Sequence, residues 1–529
     1  MESKQSEVMN ERRYIAVNTD EVFKMPYAKN LDDDGGIQHD VDSMLLMDTG
    51  KKQQPELPYP RRVLSIILNE FGNRFNYLGV KTILVLYMTR KLDMDEDFVT
   101  VQYHIFTMVV YIMCVFGAIL SDSWLGKFKA TLYLSIINLM GNVCIAISAI
   151  PHEDIPTKLL LYLGLALMAT GYGGIKPNVA AFAGDQFKLP EQAAQMEKTY
   201  SLLYFCVNIG ALATTTMTPI IRSETHCFGD NECYSLAFGV PVILTTIAVV
   251  LFVAGKSSYT MNPPSGNMLV QVIKCTVNAI TNKRRNGKVH GSVHFLDYSI
   301  EKYGQQLVDD TKCLLNILLL FLPLSMYWAL AEQQYSRWIV QAMKMNGDLG
   351  FYHILPDQML FLNPILLIIC IPLFDYCFYP LLYKINFKTS LQKITAGGLS
   401  VAMAILISAI VEFRIESCAP NSLSILWQIP QYIILGMSEV MFYVTGLTFA
   451  YEQAPKSMKS VVQSFWLLTV AIGNAVIVVI TELKLFESQV HEFLLYFCLM
   501  IVCMIIFICH AFRFRRLNSA QNLLKQDVP

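Results

Sequence analysis

The chain has 529 residues, 54% of them hydrophobic and only 16% charged, with a net charge of −1. Soluble proteins carry about a quarter charged residues, so composition excludes that class. A charge this close to neutral also removes any case for nucleic-acid binding. Residues 1–60 are polar and acidic, with runs such as DDDGG (32–36) and KKQQPELPYP (51–60). They hold no apolar core of the signal-peptide kind, so a cytoplasmic tail is expected there.

Beyond the tail, apolar stretches of about 20 residues recur, each long enough to cross a bilayer. They fall near 63–90, 100–121, 128–150, 157–180, 200–221, 235–255, 311–332, 358–383, 391–412, 423–449, 460–482 and 489–512. The first is the most informative. In NEFGNRFNYLGVKTILVLYM (69–88), Glu70, Arg74, Tyr77 and Lys81 follow i, i+4, i+7, i+11 spacing and share one helix face. Charge is costly in hydrocarbon, so such a stripe either lines a water-filled cavity or is a self-satisfied pair that only fixes packing. The cavity is the expectation.

Basic residues gather in alternate loops: Lys127 and Lys129; Lys188 and Lys198; Lys283, Arg284, Arg285 and Lys288; Lys384, Lys388 and Lys393; Lys456 and Lys459; Arg513, Arg515 and Arg516. The positive-inside rule then puts both termini and the central linker in the cytoplasm. Of 13 cysteines, most lie inside spans. Cys227 and Cys233 instead flank FGDNE in an outside loop, where a local disulfide and two free thiols are both open. No Cys/His cluster has metal-ligand spacing, and no Asn-x-Ser/Thr acceptor occurs.

Six spans precede a polar stretch, 256–310, and six follow it. The expected division is a tail (1–60), a six-helix bundle (61–255), a cytoplasmic linker (256–310), a second bundle (311–513) and a tail (514–529). Within the linker, LVQVIKCTVNAI (269–280) has amphipathic character. A six-plus-six layout suits a carrier that holds substrate between two rocking bundles. The loop GAILSDSWLGKFKAT (117–131), with Asp122 and Lys127 flanking a tight turn, resembles the signature of the major facilitator superfamily. The expected fold class is therefore an all-α membrane protein of major facilitator fold, with twelve transmembrane helices in two bundles.

Several segments together resemble the proton-coupled oligopeptide transporter family, particularly its animal peptide carriers. NEFGNRFNYLG (69–79) is similar to the family's Glu-x-x-Glu-Arg-Phe-x-Tyr-Tyr-Gly pattern. GYGGIKPNVAAFAGDQF (171–187) is close to its Gly-Gly-Ile-Lys-Pro…Gly-Asp-Gln-Phe signature, and YSLLYFCVNIGAL (200–212) to its Phe-Tyr-x-x-Ile-Asn-x-Gly run. AEQQYSRW (331–338), GMSEVMFYVTGLTFAYEQAP (436–455) and SFWLLTVAIGN (464–474) match later blocks. Animal members usually carry a large extracellular domain between spans nine and ten; here FRIESCAPNSL (413–423) is too short to hold one.

The resemblance implies a secondary carrier of di- and tripeptides, with the proton as co-transported ion, no other cofactor and no covalent chemistry. A peptide is a zwitterion, so a carrier that reads only its ends needs bases at one side of its cavity and an acid at the other. On the family's positions, Arg74 and Lys176 meet the peptide carboxylate, with Lys81 accessory. Arginine's planar fork suits bidentate carboxylate binding. Glu439 falls on the position for the amino group, and Asn208 and Asn363 on those for the backbone. Tyr87, Tyr111, Tyr204, Trp328 and Trp466 would shape the walls, although core packing explains aromatic residues in spans equally well. His104, in TVQYHIFTMVVY (100–111), matches the family's proton-relay histidine, with Glu70 and Asp375 as further proton sites.

Two departures bear on coupling. The motif's second glutamate is Asn73, and the family's span-seven arginine, partner of the span-eight acid, is Asn316 while Asp375 remains. Peptide binding is thus better supported than proton drive. An uncoupled facilitator or exchanger of small zwitterions, and a transport-dead membrane sensor acting through its tails, stand as alternatives. A monomer in the plasma membrane is expected.

Overall fold

The computed structural model describes residues 58–188, 191–264, 266, 268–286, 294–384 and 386–526, with side chains up to residue 515 apart from Lys456. The acidic tail expected over 1–60 therefore lies, up to residue 57, outside the described residues. The helices are α1 (Val63–Leu86), α2 (Glu96–Leu125), α3 (Lys127–Ser148), α4 (Thr157–Gly184), α5 (Ala193–Glu224) and α6 (Tyr234–Ser258). The linker helix α7 (Met268–Asn286) follows. The second set is α8 (Gln305–Met343), α9 (Pro356–Lys384), α10 (Ser390–Ser417), α11 (Ile425–Gln453), α12 (Lys459–Glu482) and α13 (Gln489–Gln526).

Among the described residues, eleven of these helices are long and apolar enough to cross a membrane. The twelfth, α1, has similar length but is more polar, because it carries Glu70, Arg74, Lys81 and three asparagines. In the first set, α1 packs on α5 and α6, α2 on α4, and α3 on α4 and α6. In the second, α8 packs on α12, α9 on α11, and α10 on α11 and α13. The two sets meet chiefly along α2 with α12, and where α5 meets the start of α9.

Local breaks in helix geometry sit next to the polar groups. Pro177 lies inside α4 immediately after Lys176, and a π-helical turn, Val440–Val444, follows Glu439 in α11. Such breaks re-aim neighbouring side chains and loosen the backbone ladder. Gly173 and Gly174 bring α4 tightly against its neighbours: a Cβ on Gly174 would stand 2.8 Å from the Leu134 side chain of α3. Between α10 and α11 the chain has no room for a domain, since α10 ends at Ser417 and the next helical turn begins at Ile425.

Candidate functional site

Mid-span charges in α1, α4 and α11 remain partly exposed although apolar residues surround them. Glu70, Arg74, Lys176, Tyr111, Tyr335 and Glu439 all keep some contact with solvent. Partial exposure of charged groups at mid-span is what a water-filled cavity requires. Arg74 donates to the Tyr172 hydroxyl at 3.3 Å, and Tyr172 stacks on Tyr77 with ring centres 4.1 Å apart. The Lys176 ammonium lies 4.0 Å above the Tyr111 ring. Among the described residues neither Arg74 nor Lys176 has an acidic partner within ion-pair distance. Glu439 is held by amides, accepting from Asn363 at 2.9 Å and Gln334 at 3.5 Å, and no cation pairs with it either. Arg74 and Lys176, on α1 and α4, thus face two acids without a direct ion pair: Glu70 on α1, which interacts electrostatically with both, and Glu439 on α11, which interacts with Arg74.

The aromatic residues divide. Trp328 is partly exposed and Tyr204 and Asn208 lie in an open stretch of α5, where Tyr204 is 44% exposed and Phe205 58%. Trp466 is fully buried in a cluster with Phe321, Trp328 and Phe442. Tyr87 is not brought to the cavity: its hydroxyl donates to the Ser148 carbonyl at 2.9 Å and its ring packs on Tyr234 and Phe238. Asp375 also stands apart, on an exposed face of α9 towards its far end, with Lys393 as its nearest electrostatic partner. Asn316 is exposed on α8.

Lys81 does not face the cavity unpaired. Its ammonium meets Glu332 of α8 at 2.8 Å, and the Tyr103 hydroxyl of α2 donates to the same carboxylate oxygen at 2.7 Å. One turn further on, His104 Nδ1 lies 2.7 Å from Asn474 Oδ1 of α12 and Nε2 3.0 Å from Ser336 Oγ of α8. The Asn474 amide nitrogen donates to the Val470 carbonyl at 2.8 Å, which leaves its oxygen to accept from His104 Nδ1–H. Glu332, Ser336 and Asn474 belong to motif blocks whose individual residues carry no spacing signal; only the tertiary contact reveals them.

These contacts belong to a larger seal. Arg222 of α5 binds Asp357 of α9, Arg337 of α8 binds Asp97 of α2 at 2.8 Å, and Lys344 binds Glu96 at 3.2 Å. Each joins the two sets, and each lies at the ends of the spans remote from α7. At the α7 end, Tyr204 and Phe205 are open. A disulfide, Cys227–Cys233, closes the loop between α5 and α6 beside this seal.

The POT family profile matches residues 128–490. The chain belongs to the POT family. Peptide transporter family 1 of Drosophila melanogaster is 35% identical, with 86% of this chain and 87% of that protein aligned. Solute carrier family 15 member 2 of Homo sapiens is 32% identical over 86% and 90% of the two chains. The Drosophila alignment runs over 651 positions, longer than this chain, so that relative carries inserted residues that are lacking here. The crystal structure of the POT family transporter PepTSo superposes with a TM-score of 0.74 at 27% identity, covering 87% of this chain and 99% of that one. This POT-family member is accordingly a multi-pass membrane protein of major facilitator fold and not an enzyme.

Proposed function

We propose that this protein carries di- or tripeptides across a membrane towards the side that holds α7, by alternating access and with protons as the driving ion. The observation that supports this best is the set of charges that form no direct ion pair among the described residues: Arg74 and Lys176 from the first bundle, Glu439 from the second. A free charge at mid-span is costly, and a zwitterion that bridges the two bundles sets its carboxylate against Arg74 and Lys176 and its ammonium against Glu439. Asn363 and Asn208 then read the peptide backbone, while Tyr111, Tyr204, Trp328 and Trp466 form or back the walls. Tyr87 backs them only through the core, and Lys81 acts as a gate residue more than as a carboxylate ligand.

The seal supplies the coupling step. In the sealed state His104 has both nitrogens committed and is fully buried, 0% exposed. An imidazolium there would be a desolvated charge, so a proton bound at His104 favours the state in which the remote side is open to water. Glu70, and Glu332 once released from Lys81, are the acids that could pass the proton on; Asp375 would serve at the far end. No cofactor besides the proton is invoked.

In this reading residues 61–255 and 311–513 are the moving bundles, 256–310 the linker, and 1–60 and 514–529 cytoplasmic tails. The protein acts as a monomer in the plasma membrane. A second reading, an uncoupled facilitator, is favoured by Asn73 and Asn316. The test is uptake of a labelled, hydrolysis-resistant dipeptide into vesicles holding the purified protein. Accumulation driven by an inward proton gradient supports symport. Equilibration without accumulation selects the facilitator, and no flux at all rejects peptide transport in favour of a sensor.

A further inference from the structure

The linker helix α7 has two apolar faces, and its contact with α8 and the turns before it uses only one of them. Leu269, Val272, Cys275 and Ala279 are buried against Leu296, Val308 and the cytoplasm-proximal turns of α8. On the other side, Ile273, Val277 and Ile280 are 49%, 57% and 42% exposed. They follow i, i+4, i+7 spacing, and Arg284 continues the row one turn later. Lys274 and Lys283 flank this stripe, Arg285 lies beside its end, and all four bases are exposed.

The charge on this helix has one sign. Met268–Asn286 contains no aspartate or glutamate. Two acids of the segment that follows are engaged elsewhere: Lys312 holds Asp297 at 2.7 Å and Asp309 at 3.0 Å. None of Lys274, Lys283, Arg284 and Arg285 is ion-paired with another described residue. The height of the helix is fixed as well. Leu269 and Val272 share a cluster with Leu314 and Ile317, where α8 passes from its charged start (Asp309, Asp310, Lys312) into its apolar run. The exposed stripe therefore begins level with the turn at which α8 becomes apolar.

We propose that this face of α7 is a docking surface for anionic lipid headgroups of the leaflet on the linker side. Ile273, Val277 and Ile280 enter the acyl boundary, and Lys274, Lys283, Arg284 and Arg285 bind headgroup phosphates and carboxylates. An apolar stripe flanked by bases is what an interfacial helix needs, and anionic lipid concentrates on the cytoplasmic leaflet. Because α7 ties the two bundles together, lipid held there fixes one end of the tether about which they move. The inference rests on the cytoplasmic placement of the linker proposed above.

The experiment uses the full-length protein in neutral detergent, with phosphatidylserine or phosphatidylcholine added at equal mole fraction and Tm as readout. Phosphatidylserine should raise Tm by several degrees, phosphatidylcholine should not, and added salt should shrink the rise. K274Q/K283Q/R284Q/R285Q should lose the phosphatidylserine rise while keeping the phosphatidylcholine Tm. The pair I273N/V277N should weaken it, and R284Q/R285Q gives a milder charge change should the quadruple variant fold poorly. A full phosphatidylserine rise in the charge variants overturns the proposal, as does an equal response to both lipids. A response that emerges only after removal of residues 1–57 also overturns it, since an intramolecular segment then holds the face. None of these readings depends on orientation in a membrane; protease protection of the linker in sealed vesicles tests sidedness separately.

Discussion

Arg222 in α5 and Asp357 at the start of α9 form a two-pronged ion pair between the bundles, Nε and Nη2 each donating at 3.0 Å, with neither side chain exposed. The remaining guanidinium nitrogen reaches Glu232 at 2.5 Å. An intact buried pair adds little net stability, but removing one partner strands the other charge, at a cost of about 3–5 kcal/mol. We predict that Asp357→Ala moves the population towards the state open on the side remote from α7. Thiol labelling of Ser336→Cys, buried in the sealed state, should accelerate in that background. The double change R222Q/D357N leaves no fully buried charge, only the one-third exposed Glu232, without its partner and should label more slowly than D357A. Equal labelling in all three would sink the latch.

The disulfide prepares that latch. The loop closed by Cys227 and Cys233 presents Asp230 to Lys91 and Glu232 to Arg222. Opening so short a loop costs about 2 kcal/mol in the chain-entropy account. We predict that a thiol reductant lowers the Tm of the wild type and speeds Ser336→Cys labelling. C227S/C233S should show the same values with and without reductant. A wild type indifferent to the reductant would remove the loop from the gate.

Glu439 is the site residue whose loss is most diagnostic. Its carboxylate has only amide partners, so Glu439→Ala strands no buried cation and should leave Tm nearly unchanged. Dipeptide affinity should fall about 100-fold or more, as loss of ~3 kcal/mol from a desolvated charged contact implies. Removal of the peptide's amino group should erase the difference between wild type and variant. Wild-type affinity in the alanine variant would falsify the amine-site assignment.

Much of this was legible before the fold. Length and apolarity located the spans, and the α1 stripe followed from spacing alone, because a helix face depends only on local geometry. What stayed hidden is tertiary. Asn73 reads as a missing carboxylate beside Arg74, yet it is fully buried on a different face, its side-chain oxygen accepting from Asn138 of α3 at 3.3 Å. Asn69, Asn73 and Asn76, at i, i+4, i+7, were a second polar face that the charged stripe overshadowed. Spacing alone places Lys81 on the cavity stripe, because its partner, Glu332, lies 251 residues away. Periodicity names a face; it cannot name what meets it.

His104 offers the sharpest test of coupling, because its two partners come from different helices of the second bundle. Asn474 can only accept from Nδ1–H, so a second proton must go to Nε2 and reverse the bond with Ser336, whose hydroxyl then accepts from the ring and turns its own hydrogen to Gln333 Oε1 at 3.4 Å. His104→Gln retains a polar group but cannot take the proton. It should bind dipeptide and exchange it across vesicles, yet fail to accumulate it under a proton gradient. Asn474→Asp acts oppositely, placing a carboxylate against the ring and favouring its charged form. The sign follows: a group that holds its proton more tightly releases it only at higher pH, so the pH midpoint of uptake should move alkaline. Accumulation should also weaken, since the proton is then retained when the seal closes. Gradient-driven accumulation undiminished in both variants would show that the driving proton travels by another route.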